Sequence, residues 1–323
     1  MARVKRAPAT LPPPGLFDTS TPPGGYTWWY ADGLSRDGDY GFTLIAFIGS
    51  VFSPYYAWSG RGDPHNHCAI NVALYGRRHA RWAMTERGRA DLQADESHLA
   101  IGPSSLHWDG TTLTIDIAEH GIPLPFPVRG QIRIRPRALN HKVFQIDSDG
   151  AHSWRPIAPS ADVEVDFTQP GLSWQGGAYV DTNRGSAPLE TAFRYWDWSR
   201  VQSPDGRTAI LYNTEERSGA ERSLALMFAA DGSHRAVTPP PKVRLPPTPI
   251  FGIQRTTRAG GADSVRLGRT LEDTPFYSRS IIESDILGAR AAGVHESFDG
   301  DRLDMGLVKL MLPFRMPRRP LLK

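Results

Sequence analysis

The residues of this chain with the greatest capacity for chemistry are concentrated between positions 152 and 200. They combine one acid and one imidazole with aromatic side chains: His152, Trp154, Trp174, Tyr179, Asp181, Trp196 and Trp198. Tyr179 and Asp181 are two residues apart, so on a β-strand they face the same way. The same spacing separates the histidine from the first tryptophan and the last two tryptophans from each other. These side chains either line one cavity suited to acid catalysis or form a strand core whose polar tips are satisfied.

Other candidate groups are weaker. His65 and His67 have a spacing seen in some metal sites, but a polar loop before a strand explains them as well. Cys68 lies in an apolar run, which favours a buried and inert thiol over a nucleophile. The segment that begins at Asp181 starts like a calcium loop but has Ser186 at its sixth position and Ala192 at its twelfth, which argues against calcium.

Motif and composition searches exclude several function classes. The chain has no G-x-S-x-G, G-x-x-x-x-G-K-[ST] or G-x-G-x-x-G segment, and its single cysteine excludes a cysteine-built zinc or iron–sulfur site. We therefore expect neither an organic cofactor nor a metal. The net charge of +3 is too weak to indicate nucleic acid binding, and the sequence specifies no oligomeric state.

The elements that position these residues are predicted to be β-strands. The 31 glycines and 28 prolines among 323 residues interrupt the chain too often for long helices. Apolar or alternating runs predict strands at 44–52, 69–75, 111–117, 131–135, 163–167, 207–213, 223–228, 263–271 and 274–283. Asp-Gly pairs at 109, 149, 205 and 231 predict hairpin turns. The expected fold is all-β, with two tandem antiparallel barrels or sandwiches at 25–183 and 184–323 after an extended leader at 1–24.

Several long stretches carry a resemblance to a known family. Residues 25–32 (Gly-Tyr-Thr-Trp-Trp-Tyr-Ala-Asp), 45–58, 67–76, 81–88, 152–159 and 177–183 resemble the acyclic carotenoid 1,2-hydratases of phototrophic bacteria, also called hydroxyneurosporene synthases. The resemblance implies two lipocalin-like β domains and addition of water across the terminal C1=C2 double bond of an acyclic carotene. It implies no cofactor or metal, and it places the residues linked to activity at His152, Trp154, Tyr179 and Asp181.

The chemistry of alkene hydration suggests a role for each of these residues. Asp181 in an aromatic cavity stays protonated and supplies the acid, while Trp154 and Tyr179 present π faces to a tertiary cation. His152 either holds Asp181 in its protonated form or takes a proton from the attacking water. Trp174, Trp196 and Trp198 are expected to bind substrate, and Asp197 either extends the pocket or caps a loop.

Two other functions fit part of the pattern. A glycoside hydrolase would use tryptophans to bind sugar and a carboxylate pair drawn from Asp181, Glu190 and Asp197. A lipocalin-like carrier would bind an apolar isoprenoid without chemistry, although it has no need for an acid beside an imidazole.

We expect a cytoplasmic protein that associates peripherally with the photosynthetic inner membrane, because no apolar run approaches the roughly 20 residues of a spanning helix. An acyclic carotene resides in the bilayer, so the protein must meet its substrate there. Residues 307–323 interleave apolar and basic side chains without an acid, which suits contact with anionic lipid. The alternative is a final core strand at 307–312 followed by a solvated basic tail.

Overall fold

A computed structural model describes residues 16–76 and 78–318. Its strands are antiparallel and form a twelve-stranded, a seven-stranded and a two-stranded sheet, so the all-β prediction is confirmed. The predicted leader falls largely on residues 1–15, which lie outside the described residues. Leu16 and Phe17 are already buried in the core of the first sheet.

The first sheet curls into a nearly closed barrel. Its strands are β1 (Tyr26–Ser35), β2 (Gly41–Ile48), β3 (Cys68–Tyr75), β4 (Arg81–Arg87), β5 (Leu92–Ala94), β6 (His98–Ile101), β7 (Ser104–Trp108), β8 (Leu113–His120), β9 (Pro127–Pro136), β10 (Phe144–Gln145), β11 (His152–Gln169) and β12 (Leu172–Gly185). They pair in the order β4-β3-β2-β1-β12-β11-β9-β8-β7-β6-β5, and β10 pairs with β11.

The second sheet has the order β16-β15-β14-β13-β21-β20-β19. Its strands, together with the separate pair β17 and β18, are β13 (Phe193–Gln202), β14 (Thr208–Glu216), β15 (Glu221–Phe228), β16 (His234–Ala236), β17 (Lys242–Leu245), β18 (Arg255–Arg258), β19 (Val265–Asp273), β20 (Tyr277–Ser284) and β21 (Ala291–Asp299). The chain passes from the first sheet to the second between Gly185 and Phe193. The division into domains at residue 183 stays a prediction.

The helices are short: α1 (Pro54–Trp58), α2 (Leu189–Ala192), α3 (Gly300–Asp304) and α4 (Gly306–Met311), with 3₁₀ turns at Pro64–Asn66, Arg89–Asp91, Ala262–Ser264 and Leu312–Phe314. In the described part of the chain, no helix has the length and apolar character needed to cross a membrane.

The four predicted Asp-Gly turns each join two paired strands: β7 to β8, β10 to β11, β13 to β14 and β15 to β16. Their glycines have positive φ, for example 88° at Gly206 and 85° at Gly232, a conformation that glycine adopts at little cost. Turn chemistry was therefore a reliable guide to the hairpins.

Two predicted strands differ from the structure. The strand predicted at 44–52 ends at Ile48, because Gly49 (φ 64°) turns the chain and Ser53 caps α1 by accepting a hydrogen bond from the Tyr56 amide at 3.0 Å. The alternative of a final strand at 307–312 is wrong, since this segment forms α4. Val308 and Met311 are three residues apart and line one cavity, the spacing of a helix face rather than of a strand.

The first sheet uses both of its faces where it meets the second sheet. Along β1, Trp29 and Ala31 point into the barrel core, whereas Trp28 and Tyr30 join a second core shared with Trp196 of β13. This explains why β1, β2 and β3 are buried almost continuously rather than alternately. The second core, between the two sheets, contains the candidate site.

Candidate active site

Asp181 lies in the core between the two sheets, on the outer face of β12. Its Oδ2 accepts hydrogen bonds from the Trp154 indole N–H at 2.9 Å and from the Tyr179 hydroxyl at 2.8 Å. Trp154 reaches it from β11, where it is paired in register with Asn183. Three of the four residues that the resemblance linked to activity therefore meet at one carboxyl group.

Burial raises the pKa of Asp181 from its ordinary value of 3.8 to about 8, because a charge in this apolar core loses its hydration. The hydrogen bonds from Trp154 and Tyr179 oppose this rise, since they stabilise the carboxylate, whereas the charges of Glu296 and Asp32 add to it. Asp181 is consequently a neutral acid at pH 7. Its Oδ1 has no hydrogen-bond partner within residues 16–76 and 78–318.

A small recess of about 30 Å³ lies beside Asp181. Both sheets supply its walls: Trp28, Tyr30, Asp181, Asn183, Trp196, Trp198, Tyr212 and Glu296. This volume suffices for about one water molecule, which needs roughly 10–15 Å³ on this measure. The recess therefore combines an acid, aromatic faces and room for water.

A larger cavity of about 430 Å³ adjoins the recess. The two share Trp28, Tyr30, Trp196 and Glu296 as walls. The cavity is otherwise lined mainly by apolar side chains, and its volume falls in the range of ~300–1,000 Å³ typical of ligand sites. An apolar chain in the cavity would thus bring its end to the recess.

The predicted aromatic residues are distributed unequally. Trp196 and Trp198 line the recess, as expected for substrate-binding residues. Trp154 and Tyr179 lie behind Asp181, outside the described lining of both spaces, so their polar tips hold the acid. The aromatic walls of the recess include residues that the sequence argument did not select, such as Trp28 and Tyr212.

Trp174 does not belong to this cluster. It lies five positions before Tyr179 on β12, so it points to the opposite face, where its ring lies 6.1 Å from that of Phe42. Trp174 packs against the barrel core, which contains neither Asp181 nor the recess. The alternation of β12 therefore separates Trp174 from Asp181, and its assignment as a substrate-binding residue stays a prediction.

The two other candidate carboxylates are also elsewhere. Asp197 lies on the opposite face of β13 from Trp196, where it accepts hydrogen bonds from Asn213 at 2.7 Å and Thr256 at 2.8 Å. Burial raises its pKa to about 7. Glu190 lies on α2 and pairs with Arg61. Neither forms the carboxylate pair with Asp181 that a glycoside hydrolase requires.

His152 lies on the same face of β11 as Trp154 but is not in contact with the acid. Its Nδ1 is 2.9 Å from the Tyr26 hydroxyl, and its ring lies 4.9 Å from that of Phe193. Burial lowers its pKa, so the ring is neutral. Within the described residues no hydrogen bond joins His152 to Asp181, and the two roles considered for it stay predictions.

The remaining polar candidates have structural partners. His67 pairs with Glu86, and His65 lies 2.8 Å from the carbonyl oxygen of Thr19. Burial raises the pKa of the Cys68 thiol to about 12, which leaves it unreactive. No group of three His, Cys, Asp or Glu side chains within residues 16–76 and 78–318 is placed to hold a metal ion.

Glu296 is the main site residue that the sequence argument missed. It lies on β21, paired in register with Trp198, and lines both the recess and the larger cavity. Its Oε1 is 2.6 Å from Nη2 of Arg279 and 2.9 Å from the Tyr30 hydroxyl. Glu296 lies in the last strand of the described chain and belongs to no recognisable sequence motif. Its position at the recess with Asp181 is therefore visible only in the folded structure.

The two antiparallel sheets packed against each other form a lipocalin-like β fold, and solved structures share this fold. A putative AttH from Nitrosomonas europaea has a TM-score of 0.57 at 14% identity, covering 85% of this chain and 92% of its own. Kievitone hydratase from Nectria haematococca has a TM-score of 0.54 at 10% identity, covering 92% and 97%. At such identities the likeness concerns the fold alone.

Sequence comparison identifies the family. The model described as carotenoid hydratase CrtC matches residues 44–323, and the chain belongs to this family. It is 53% identical to the acyclic carotenoid 1,2-hydratase of Thiocapsa roseopersicina, over 94% of this chain and 75% of that protein. The corresponding enzyme of Rubrivivax gelatinosus is 47% identical over 94% and 76%. The resemblance noted in the sequence is thereby confirmed.

Proposed function

We propose that this chain is a hydro-lyase that adds water across the terminal C1=C2 double bond of an acyclic carotenoid, with Asp181 as the proton donor. Family membership and relatives that are named acyclic carotenoid 1,2-hydratases support the reaction. The observation that carries the role of Asp181 is its neutral carboxyl group, held by two hydrogen bonds and facing an aromatic recess.

The proton moves from Oδ1 of Asp181. Because Oδ2 already accepts two hydrogen bonds, the acidic proton resides on the oxygen that has no partner among the described residues. An isolated alkene is a weak base, so protonation at C2 must be assisted by stabilisation of the positive charge left on C1. Water then adds to C1 and gives a tertiary alcohol.

Aromatic faces stabilise this cation. Trp28, Trp196 and Tyr212 line the recess and pack together, with ring centroids about 6.2 Å apart between Trp196 and each of the other two. A desolvated cation gains roughly 2 kcal/mol from each well-placed aromatic face. In this proposal the end of the carotenoid enters through the larger cavity and its C1 atom reaches these rings.

The membrane contact forms part of the same proposal. Exposed apolar side chains, here called the apolar rim, belong to α4 and the segments beside it: Ile250, Phe251, Met305, Leu307, Leu310, Met311 and Phe314. Phe251 and Met311 also line the larger cavity, so the rim borders its mouth. Insertion of this rim into the cytoplasmic surface of the photosynthetic membrane would let a carotenoid pass from lipid into the cavity.

The basic tail contributes less than its composition suggests. Arg315 lies over the Trp82 ring at 4.2 Å, and Arg318 pairs with buried Glu86. Lys309 pairs with Asp304. These three cations bind the protein itself, and residues 319–323 lie outside the described residues. The proposed contact therefore relies on the apolar rim, with charge attraction from the tail as a secondary contribution.

Incubation of the purified protein with lycopene in liposomes tests the reaction. Hydration gives a product 18 mass units heavier, detectable by chromatography and mass spectrometry without added metal or nucleotide. Tight binding of lycopene without that product would favour an isoprenoid carrier and overturn the proposal.

A further inference from the structure

Asp181 and Glu296 belong to different sheets yet line the same recess, which is large enough for about one water molecule. We propose that Glu296 is the base that holds this water and takes its proton as the water attacks C1. The inference rests on the proposed hydration and names the second half of its acid–base chemistry.

The position of Glu296 suits this role. Four of the described residues line both the recess and the larger cavity: Trp28, Tyr30, Trp196 and Glu296. Glu296 is the carboxylate among them and can therefore accept a proton. A carotenoid end that reaches the recess from the cavity passes its carboxylate. Asp181 lies on β12 in the other sheet, so acid and base approach the substrate end from different sides.

The charge of Glu296 is set by Arg279, which is 2% exposed and donates to Oε1 at 2.6 Å. An arginine does not lose its proton in a protein, so this ion pair holds Glu296 as a carboxylate. Tyr277 also hydrogen-bonds this carboxylate, and the single hydroxyl proton of Tyr30 is shared between Glu296 at 2.9 Å and Asp32 at 2.7 Å. A carboxylate has about four acceptor sites, so Glu296 keeps acceptor capacity for water.

Asp181 and Glu296 consequently differ in protonation state. Burial raises the pKa of both, but only Glu296 has a cationic partner that opposes the rise. Two nearby carboxyl groups with different environments are the usual arrangement for an acid and a base that act together. A pKa above the ordinary value also makes Glu296 a better proton acceptor.

The other groups near the recess are less suited. Asp32 pairs with Arg200 and lies outside the described lining. Burial raises the pKa of the Tyr30 and Tyr212 phenols, so both stay neutral. His152 lies outside the described lining as well. Among the described residues that form the recess, Glu296 is thus the carboxylate available as a base.

The bonds balance as follows. The O–H bond of Asp181 breaks as the C2–H bond forms, and the C1–O bond forms as one O–H bond of water breaks. The released proton goes to Glu296, leaving Asp181 ionised and Glu296 neutral. Transfer of that proton back to Asp181 through water in the recess restores both groups and completes the net addition of H₂O.

Hydrogen exchange separates the two steps experimentally. In D₂O, Asp181 delivers a deuteron to C2, and the cation can return to the alkene by losing the original proton. Recovered lycopene then carries deuterium. We expect Glu296→Gln to lower hydration by ~10²–10⁴-fold while retaining this exchange. Glu296→Asp keeps the charge beside Arg279 but retracts the carboxylate, and it should lower hydration less.

Asp197→Asn is the matched control, since it removes a buried carboxyl group on the opposite face of β13 and should leave both readouts near those of the parent protein. Unchanged hydration in Glu296→Gln would overturn the inference, as would joint loss of hydration and exchange in a folded variant. If Glu296→Gln does not fold, the same readouts on Glu296→Asp decide. Failure of the parent protein to hydrate lycopene would instead reject the proposed function.

Discussion

The hydroxyl of Tyr179 donates a 2.8 Å hydrogen bond to Oδ2 of Asp181, two residues further along the same strand. Such a bond stabilises the carboxylate and therefore lowers the pKa that burial alone would give. The pKa of Asp181 is thus set by two opposing influences. Burial in the aromatic core raises it, and the hydrogen bonds donated by Tyr179 and Trp154 lower it.

This relationship predicts a change in pH dependence. Activity of the parent protein should fall as pH rises through about 8, where Asp181 loses its proton. Tyr179→Phe removes a donor to the carboxylate, so the alkaline limb should move upward by about one pH unit, with lower turnover because the acid is less well oriented. Tyr195→Phe, which removes a phenol hydroxyl that bonds Ser297, is the control. A downward shift in Tyr179→Phe would contradict the assignment.

Replacing the acid itself should abolish most activity. Asp181→Asn can still accept the bonds from Trp154 and Tyr179 but presents an amide to the recess. We expect hydration of lycopene to fall by at least ~10²–10⁴-fold with an unchanged circular dichroism spectrum. The measurement is product formation under single-turnover conditions. Near-normal turnover by this folded variant would remove Asp181 from the mechanism.

The same substitution should stabilise the protein in a pH-dependent way. The pKa of Asp181 is about 8 in the folded chain and near 3.8 when unfolded, so the unfolded state loses this proton first as pH rises. The contribution of Asp181 to the free energy of unfolding is therefore constant below about pH 4. It decreases between pH 4 and about pH 8, and at pH 7 it is lower by about 4 kcal/mol. Denaturant titrations should show a smaller decline in Asp181→Asn. Parallel pH profiles would show that Asp181 is ionised in the folded protein.

Membrane binding should depend on the apolar rim. Leu310 is 63% exposed on α4, and Leu124 is 61% exposed in the turn before β9 and does not line the cavity. Leu310→Glu should weaken sedimentation with anionic liposomes and slow hydration of liposome-embedded lycopene. Leu124→Glu should change neither. Equal effects of the two substitutions would place the contact elsewhere, with the segment from Phe52 to Trp58 as the next candidate.

Local patterns determined which parts of the fold could be predicted. The alternation at Tyr179 and Asp181 and the Asp-Gly turns depend on neighbours in the chain, and both predictions are confirmed. Residues 307–312 were ambiguous because a short apolar run suits either a strand or a helix. Only the packing of Val308 and Met311 at the cavity distinguishes the two.

The site was predictable only where its residues are close in sequence. Asp181, Tyr179 and Trp154 belong to two neighbouring segments, and their meeting follows from the pairing of β11 with β12. Glu296 is more than a hundred residues away and reaches the recess because the second sheet packs on the first. Trp174 is just as close in sequence, yet the alternation of β12 places it on the face opposite Asp181.

The ion pair between Asp32 of β1 and Arg200 of β13 joins the two sheets, and both of its side chains are buried. The walls of the larger cavity also come from both halves of the chain, and apolar side chains meet there, since the rings of Phe52 and Phe276 lie 5.4 Å apart. A carotenoid end bound in the cavity would add to this contact and become, while it is bound, part of the hydrophobic core between the sheets. The substrate would then stabilise the folded state against heat and proteolysis, by an amount that grows with the logarithm of its concentration.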